Sequence, residues 1–130
     1  MKMFSEEWAQ MLADTLKADE AFQRKAENFN SNLHFHVLKD PKAGLEEDVS
    51  FGMWVPSIQT FWYGPRKADE VDIFLEGKAG VYEQVFKGKK NVVIALTMGA
   101  IKLKKGQVTK LTGNLGAVSR FIEVAGTISS

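Results

Sequence analysis

The spacing of apolar residues changes twice along the chain, and this change constrains the fold more than any other feature of the sequence. Between Leu33 and Leu75, apolar side chains fall in short runs that alternate with a period of two, as in half-buried strands. On both sides of this region they recur at helical spacing. The pattern predicts an α+β fold in which one sheet carries helices on one face.

Caps and turn residues set the predicted boundaries. Ser5 has the side chain of a helix N-cap, and Glu6 and Glu7 follow it where the helix dipole favours acids. Helices are predicted from this cap to residue 16 and over residues 19–27, 81–86 and 92–96, and strands over residues 33–37, 49–55, 58–63, 71–75 and 101–105. Residues 108–125 are also helical in spacing, but Gly113 and Gly116 each weaken that segment by roughly 1 kcal/mol relative to alanine. We therefore expect two helices or one bent helix there, with either a movable lid or a simple loop at the bend.

Composition excludes several classes of protein. With 130 residues, 45% of them hydrophobic and 25% charged, the chain is expected to form a single domain over residues 1–130 with an ordinary core. The absence of cysteine excludes disulfides and thiolate sites. A net charge of +1 gives no general reason to expect a nucleic-acid partner. The N-terminus lacks the pattern of a secretory signal, and no apolar run approaches the ~18–20 residues of a membrane span, so a cytoplasmic location is expected.

A recognisable motif occupies the second half of the chain. Residues 72–77 read Asp-Ile-Phe-Leu-Glu-Gly and lead into a short helix that ends in Lys-Gly-Lys at residues 87–89. Residues 95–106 read Ala-Leu-Thr-Met-Gly-Ala-Ile-Lys-Leu-Lys-Lys-Gly and precede a C-terminal amphipathic helix. This arrangement resembles the sterol carrier protein type 2 (SCP2) family, and Trp8 in a capped first helix also fits. The order of elements matches over the whole chain, whereas the motif covers roughly residues 71–122.

The resemblance implies a mostly antiparallel five-stranded sheet with helices packed on one face and an apolar cavity or tunnel between the two layers. It implies non-catalytic binding, and intracellular transfer, of fatty acyl chains, phospholipids or sterol-like molecules, without a cofactor. The family also supplies accessory domains to larger proteins. Because this sequence shows no additional domain, the resemblance implies a standalone role.

The middle strands carry apolar residues on both faces. Alternation places Trp54 on the face opposite Phe51 and Met53, and one helix layer cannot cover both faces of a sheet. The residues on the second face are then ordinary core, the wall of a cavity, or a dimer interface. Under the ligand-binding hypothesis, the predicted wall consists of Trp54, Phe74, Val93, Met98, Leu103, Leu115, Phe121 and Ile122.

Lysines cluster in one part of the sequence where no acid occurs. They are Lys87, Lys89, Lys90, Lys102, Lys104, Lys105 and Lys110. An anionic membrane surface attracts each nearby lysine by about 1 kcal/mol, so we predict transient membrane contact through this set. The alternatives are a site for a carboxylate or phosphate headgroup and an ordinary solvated surface.

The sequence does not predict a catalytic or metal site. His34 and His36 are two residues apart on a predicted strand, so both point to one face and could share a metal, but no third ligand lies nearby. No acid, base and nucleophile come together, and we do not expect an enzyme. Two alternatives stay open: a small α+β pocket enzyme that uses His34 and His36, and an interaction domain that dimerises through its apolar sheet face. The chain is accordingly expected to be a monomer or a homodimer.

Overall fold

The computed structural model describes residues 1–129 and contains the predicted order of helices and strands. In this part of the chain the strands are Ser31–Leu38 (β1), Val49–Val55 (β2), Phe61–Tyr63 (β3), Ile73–Lys78 (β4) and Ile101–Lys105 (β5). The helices are Glu6–Ala18 (α1), Glu20–Lys25 (α2), Ala79–Phe86 (α3), Val92–Thr97 (α4), Val108–Thr112 (α5) and Leu115–Ile128 (α6). None of these helices has the length and hydropathy that crossing a bilayer requires, within residues 1–129.

Two boundaries show how local residues end or divide an element. The C-terminal segment is two helices, the first of the two predicted alternatives, because α5 is capped by Gly113 and α6 starts at Leu115. β3 begins three residues later than predicted. Ile58 has a left-handed backbone (φ 55°), which a strand does not allow, and its nitrogen donates to the Trp54 carbonyl at 2.9 Å. The residues before Phe61 therefore form a turn instead of a strand.

The strands form one five-stranded sheet in the described residues, in the order β3-β2-β1-β4-β5. β1 and β4 are parallel and the other neighbours are antiparallel, so the α+β fold with a mostly antiparallel sheet is confirmed. Phe35 in β1 lies opposite Phe51 in β2 and Leu75 in β4, and all three are buried. Because side chains on paired residues share a face, these residues define the inner face of the sheet.

Aromatic contacts fix the helices on this inner face. The fully buried Trp8 of α1 packs edge-to-face on Phe51, with ring centroids 5.6 Å apart. Phe121 of α6 stacks on Phe35 at 5.4 Å. α1 begins as predicted, since the Ser5 hydroxyl accepts a hydrogen bond from the Trp8 nitrogen at 3.2 Å. Each such buried aromatic side chain contributes about 1.5–3 kcal/mol of transfer free energy, so the core itself determines which face the helices cover.

α6 is also held by a close backbone approach and an ion pair. A methyl group at Gly126 would collide with the Phe86 carbonyl, so glycine lets α6 pack closely on α3. Arg120 donates from Nε and Nη2 to the Asp19 carboxylate at 2.6 and 3.1 Å. This bidentate contact holds the pKa of Asp19 below its usual value and ties α6 to the junction of α1 and α2.

Candidate functional site

An apolar pocket with a volume of about 70 Å³ lies between the inner face of the sheet and the helices. Among its described wall residues, the only side-chain polar atoms are the hydroxyls of Tyr82 and Thr112, and no wall residue carries a charge. The wall consists of Phe22, Phe29, Leu33, Phe35, Val55, Leu75, Tyr82, Val85, Phe86, Val92, Val93, Leu96, Ile101, Leu111, Thr112, Leu115, Ala117, Val118, Phe121 and Ile122. Such a wall favours the binding of an apolar ligand and provides no partner for a charged group.

The periodicity of each strand and helix determines which of its side chains face the pocket. Strand alternation turns Leu33 and Phe35 of β1 toward the pocket. In α6, Val118, Phe121 and Ile122 recur at i, i+3 and i+4, so they form one stripe along the helix that faces the sheet. The wall is therefore a consequence of ordinary amphipathic elements that meet across a space their side chains do not fill.

The pocket opens between α4 and the junction of α5 and α6. Leu115 lines the pocket and is nevertheless 46% exposed, and Thr112 beside it is exposed as well. Ala95 is the only buried residue of α4, and Leu111 is the only buried residue of α5. Helices with so few buried side chains belong to the least stable part of a fold. The segments around the mouth are therefore the easiest to displace.

Four of the eight predicted wall residues line the pocket together: Val93, Leu115, Phe121 and Ile122. Met98 does not, because it follows the last turn of α4 and its side chain is 78% exposed. Leu103 of β5 is half-buried against the edge of the core and also lies outside the wall. Both belong to elements that border the pocket, but spacing alone did not show which of their residues face it.

Trp54 and Phe74 lie on the opposite face of the sheet, which corrects their predicted place in the wall. Trp54 is paired with Asn32, and Phe74 with His34, whereas the pocket is lined by the intervening Leu33. Side chains of consecutive strand residues point to opposite faces, so neither aromatic ring reaches the helix side. The same alternation, applied to β1 and β4, identifies Phe35 and Leu75 as wall residues that the sequence prediction missed.

The outer face of the sheet is closed largely by its own side chains. Trp62 of β3 lies over Gly52, where a methyl group would collide with the indole ring. Its Nε1 donates to Nδ1 of the fully buried His34 at 3.0 Å, and the guanidinium of Arg66 lies 4.9 Å from the Trp62 ring centroid. Phe74 packs on the other side of the imidazole at 4.7 Å. Burial of His34 and Trp62 therefore needs no partner chain.

His34 and His36 share this outer face, as predicted, but they do not share a ligand position. Nδ1 of His36 is 3.0 Å from a Glu76 carboxylate oxygen, and its Nε2 is 3.6 Å from Asp48. Residues 1–129 contain no group of three or more side chains arranged to hold a metal ion. Since the sheet separates both histidines from the pocket, they cannot act on a molecule bound inside it.

Acid is expected to destabilise the protein through His34. Burial is the main cause that lowers the pKa of His34 to about 4, and the positive charges of His36 and Arg66 add to it while Glu70 opposes it. The ordinary value is 6.5, so the contribution to stability is complete above about pH 6.5 and is lost as the pH falls to about 4, by up to about 3 kcal/mol. Urea unfolding at several pH values measures this. His34→Gln should lose this part of the pH dependence, and an identical pH profile for both proteins would contradict the assignment.

Several solved structures are similar to this chain in their architecture. A crystal structure of sterol carrier protein 2 is 28% identical to this chain, with a TM-score of 0.82 over 96% of this chain and 98% of the other. A conserved hypothetical protein from Thermus thermophilus, described as a possible sterol carrier protein, is 27% identical, with a TM-score of 0.81 over 100% of this chain and 92% of the other. Sterol carrier protein 2 from Aedes aegypti, solved in complex with palmitate, is 14% identical, with a TM-score of 0.60 over 95% and 98%.

No protein-family model matches the sequence, and no curated protein sequence matches it significantly. The assignment therefore depends on three-dimensional similarity that extends over nearly the full length of both partners. The five-stranded sheet with helices on one face is also the architecture that the resemblance of the sequence implied. This chain is therefore similar in structure to sterol carrier protein 2 over nearly its full length.

Proposed function

We propose that this protein binds apolar ligands, such as fatty acyl chains, phospholipid tails or sterol-like molecules, in the pocket beneath α4, α5 and α6, and carries them without chemical change. The observation that supports this most directly is the pocket wall, in which two hydroxyl groups are the only side-chain polar groups among the described residues. The palmitate complex of the Aedes aegypti protein supports the same class of ligand.

Binding would be driven by buried area. Each methylene group that leaves water contributes about 0.8 kcal/mol, so a long acyl chain supplies on the order of 10 kcal/mol before ordering costs are subtracted. No charged side chain lines the described wall, and a pocket of this kind discriminates weakly between chains that differ by one methylene. We therefore expect several acyl-chain lengths to bind with similar affinity.

The pocket must widen to hold such a ligand. Its volume of about 70 Å³ is well below the roughly 300 Å³ of the smallest typical ligand sites. Gly88 and Gly99 have positive φ angles on either side of α4, and Gly113 separates α5 from α6. Because α4 and α5 are also held by few buried side chains, we propose that these helices move outward to admit the ligand.

The side chains of the wall also favour a carrier function over catalysis. Burial raises the pKa of the Tyr82 hydroxyl, so this group stays protonated and is a poor nucleophile or base. No carboxylate, imidazole or amine lines the described wall beside it. A bound molecule would therefore be solvated by apolar groups and would meet no reactive side chain.

Native mass spectrometry of the purified protein tests the proposal. We expect a second mass that corresponds to one bound lipid, and extraction of the same sample should identify its class. If the protein is initially free of ligand, it should acquire one palmitate when the fatty acid is added. A persistent mass of the protein alone after this addition would contradict the proposed function.

A further inference from the structure

Large apolar side chains are exposed around the mouth of the pocket. Four of the six most exposed in residues 1–129 lie there: Ile94 (59%), Met98 (78%), Val108 (47%) and Leu115 (46%). Ile94 lies in α4 and Met98 directly follows it, while Val108 begins α5 and Leu115 begins α6. These three helices also supply wall residues. Scattered exposed apolar residues are ordinary, but a group that rims one opening indicates an interaction surface.

The same part of the chain has no negative charge. Residues 84–122 contain seven lysines and Arg120 but no aspartate or glutamate. This segment includes α4, β5, α5 and the first half of α6, so it includes the whole rim. The rim therefore combines exposed aliphatic groups with a local excess of positive charge.

The seven lysines do not form one surface in the structure, which corrects the expectation of a single contact set. Lys102 and Lys104 lie on the outer face of the sheet. Lys102 is opposite Glu76 in the neighbouring strand, and the Lys104 ammonium is 3.7 Å from the Glu76 carboxylate. Lys105 donates to two backbone carbonyls, at 2.9 and 2.6 Å. Lys87 pairs with a glutamate one turn earlier, at 3.2 Å. These four lysines are therefore already engaged or turned away from the mouth.

The other three lysines lie on or directly before the two helices that border the mouth, α4 and α5. Lys89 and Lys90 precede Asn91, which caps α4, and Lys110 lies on α5 with its ammonium 5.5 Å from the ring centroid of the wall residue Phe29. Among the residues that the structure describes, no carboxylate lies within salt-bridge distance of any of the three. Their charges are available to an external anion.

The opposite side of the molecule has the opposite charge. α1 packs beside β3, and α4 packs beside β5, so the two helices lie at opposite edges of the sheet. The charged side chains of α1 are the acids Glu6, Glu7 and Asp14 and the single base Lys17, all exposed, so this helix has an excess of negative charge. An anionic surface would repel this helix and attract the rim, which orients the whole molecule.

We propose that this rim docks on anionic lipid bilayers, with the side chains of Ile94, Met98, Val108 and Leu115 among the headgroups and Lys89, Lys90 and Lys110 beside the phosphates. A bilayer fits this combination better than a polynucleotide does, because the exposed groups are aliphatic and no aromatic ring is presented for base stacking. The inference rests on the proposed function, since docking would bring the mouth of the pocket to its source of lipid.

Sedimentation with phosphatidylcholine vesicles that contain phosphatidylserine tests the docking surface. The triple variant Lys89→Gln, Lys90→Gln, Lys110→Gln should bind on the order of 100-fold more weakly, from roughly fivefold for each lysine. The matched variant Lys42→Gln, Lys102→Gln, Lys104→Gln removes the same charge elsewhere and should bind almost as the unaltered protein does. Equal losses in the two variants would overturn the proposal, because attraction would then depend on net charge alone.

A site-specific dye tests contact of the rim with the bilayer. The chain contains no cysteine, so Met98→Cys and, on α1, Gln10→Cys each provide a unique position for an environment-sensitive fluorophore. The emission at residue 98 should shift to the blue on phosphatidylserine vesicles, and the emission at residue 10 should not. Equal shifts, or a shift at residue 98 that appears without vesicles as the protein dimerises, would overturn the assignment.

Uptake of palmitate in solution, measured without vesicles, separates the two proposals. The triple lysine variant should still take up palmitate, because none of the three lysines lines the pocket. A protein that binds palmitate but no vesicles would retain the proposed function and lose the docking surface. A protein that docks by its rim and takes up no palmitate would retain the docking surface and lose the proposed function.

Discussion

Replacing Val118 with tryptophan is expected to abolish uptake of fatty acid while the protein remains folded. Val118 is a half-buried wall residue on the pocket-facing stripe of α6, and an indole ring at this position would occupy space that a ligand needs. Val93→Trp should have the same effect from α4, on the other side of the mouth. Titration with a fluorescent fatty acid should show at least about a 100-fold loss of affinity, since the acyl chain would no longer be buried.

Phe74→Trp is the matched control for this experiment. Phe74 lies on the outer face of the sheet against His34, so a larger ring there should leave uptake unchanged. If Val118→Trp and Val93→Trp both bind fatty acid as the unaltered protein does, the pocket beneath α4 and α6 is not the ligand site. Circular dichroism of all three variants would establish that each remains folded.

Trp8→Ala is expected to cause the largest loss of stability of any single change considered. The indole is fully buried between Phe4, Phe51 and Phe86, with ring centroids at 5.2, 5.6 and 6.0 Å, and Nε1 donates to the Ser129 hydroxyl at 3.0 Å. Removing such a side chain costs about 3–5 kcal/mol because the surrounding core cannot fill the cavity. Against a typical total of about 5–15 kcal/mol, urea unfolding should show a large decrease in the transition midpoint.

Trp54→Ala provides the comparison for this loss. Trp54 is half-exposed on the outer face of the sheet, so its removal creates no enclosed cavity and should lower stability much less. Similar midpoints for the two alanine variants would show that the aromatic cluster around Trp8 does not dominate the core. Trp8→Phe should fall between Trp8→Ala and the unaltered protein, because it keeps most of the apolar contact and loses the hydrogen bond to Ser129.

Much of the architecture follows from local patterns that the sequence shows directly. The period of two between Leu33 and Leu75 predicted strands, and helical spacing predicted the flanking helices. The glycines after residue 112 predicted that the last helical segment is divided or bent. Each of these signals depends only on residues that are close in sequence. It can therefore be recognised without knowledge of the rest of the fold. The motif in residues 95–106 then indicated the family that the solved structures support.

Tertiary structure alone decided which faces meet and what lies between them. Alternation separates Trp54 and Phe74 from their strand neighbours, but only the pairing of β1 with β2 and β4 shows which of the two faces the helices cover. The lysines are close in sequence, yet β5 turns Lys102 and Lys104 to the outer face while α5 leaves Lys110 at the mouth. Spacing determines that side chains share a face of one element, whereas packing between distant segments determines whether that face forms core, pocket or surface.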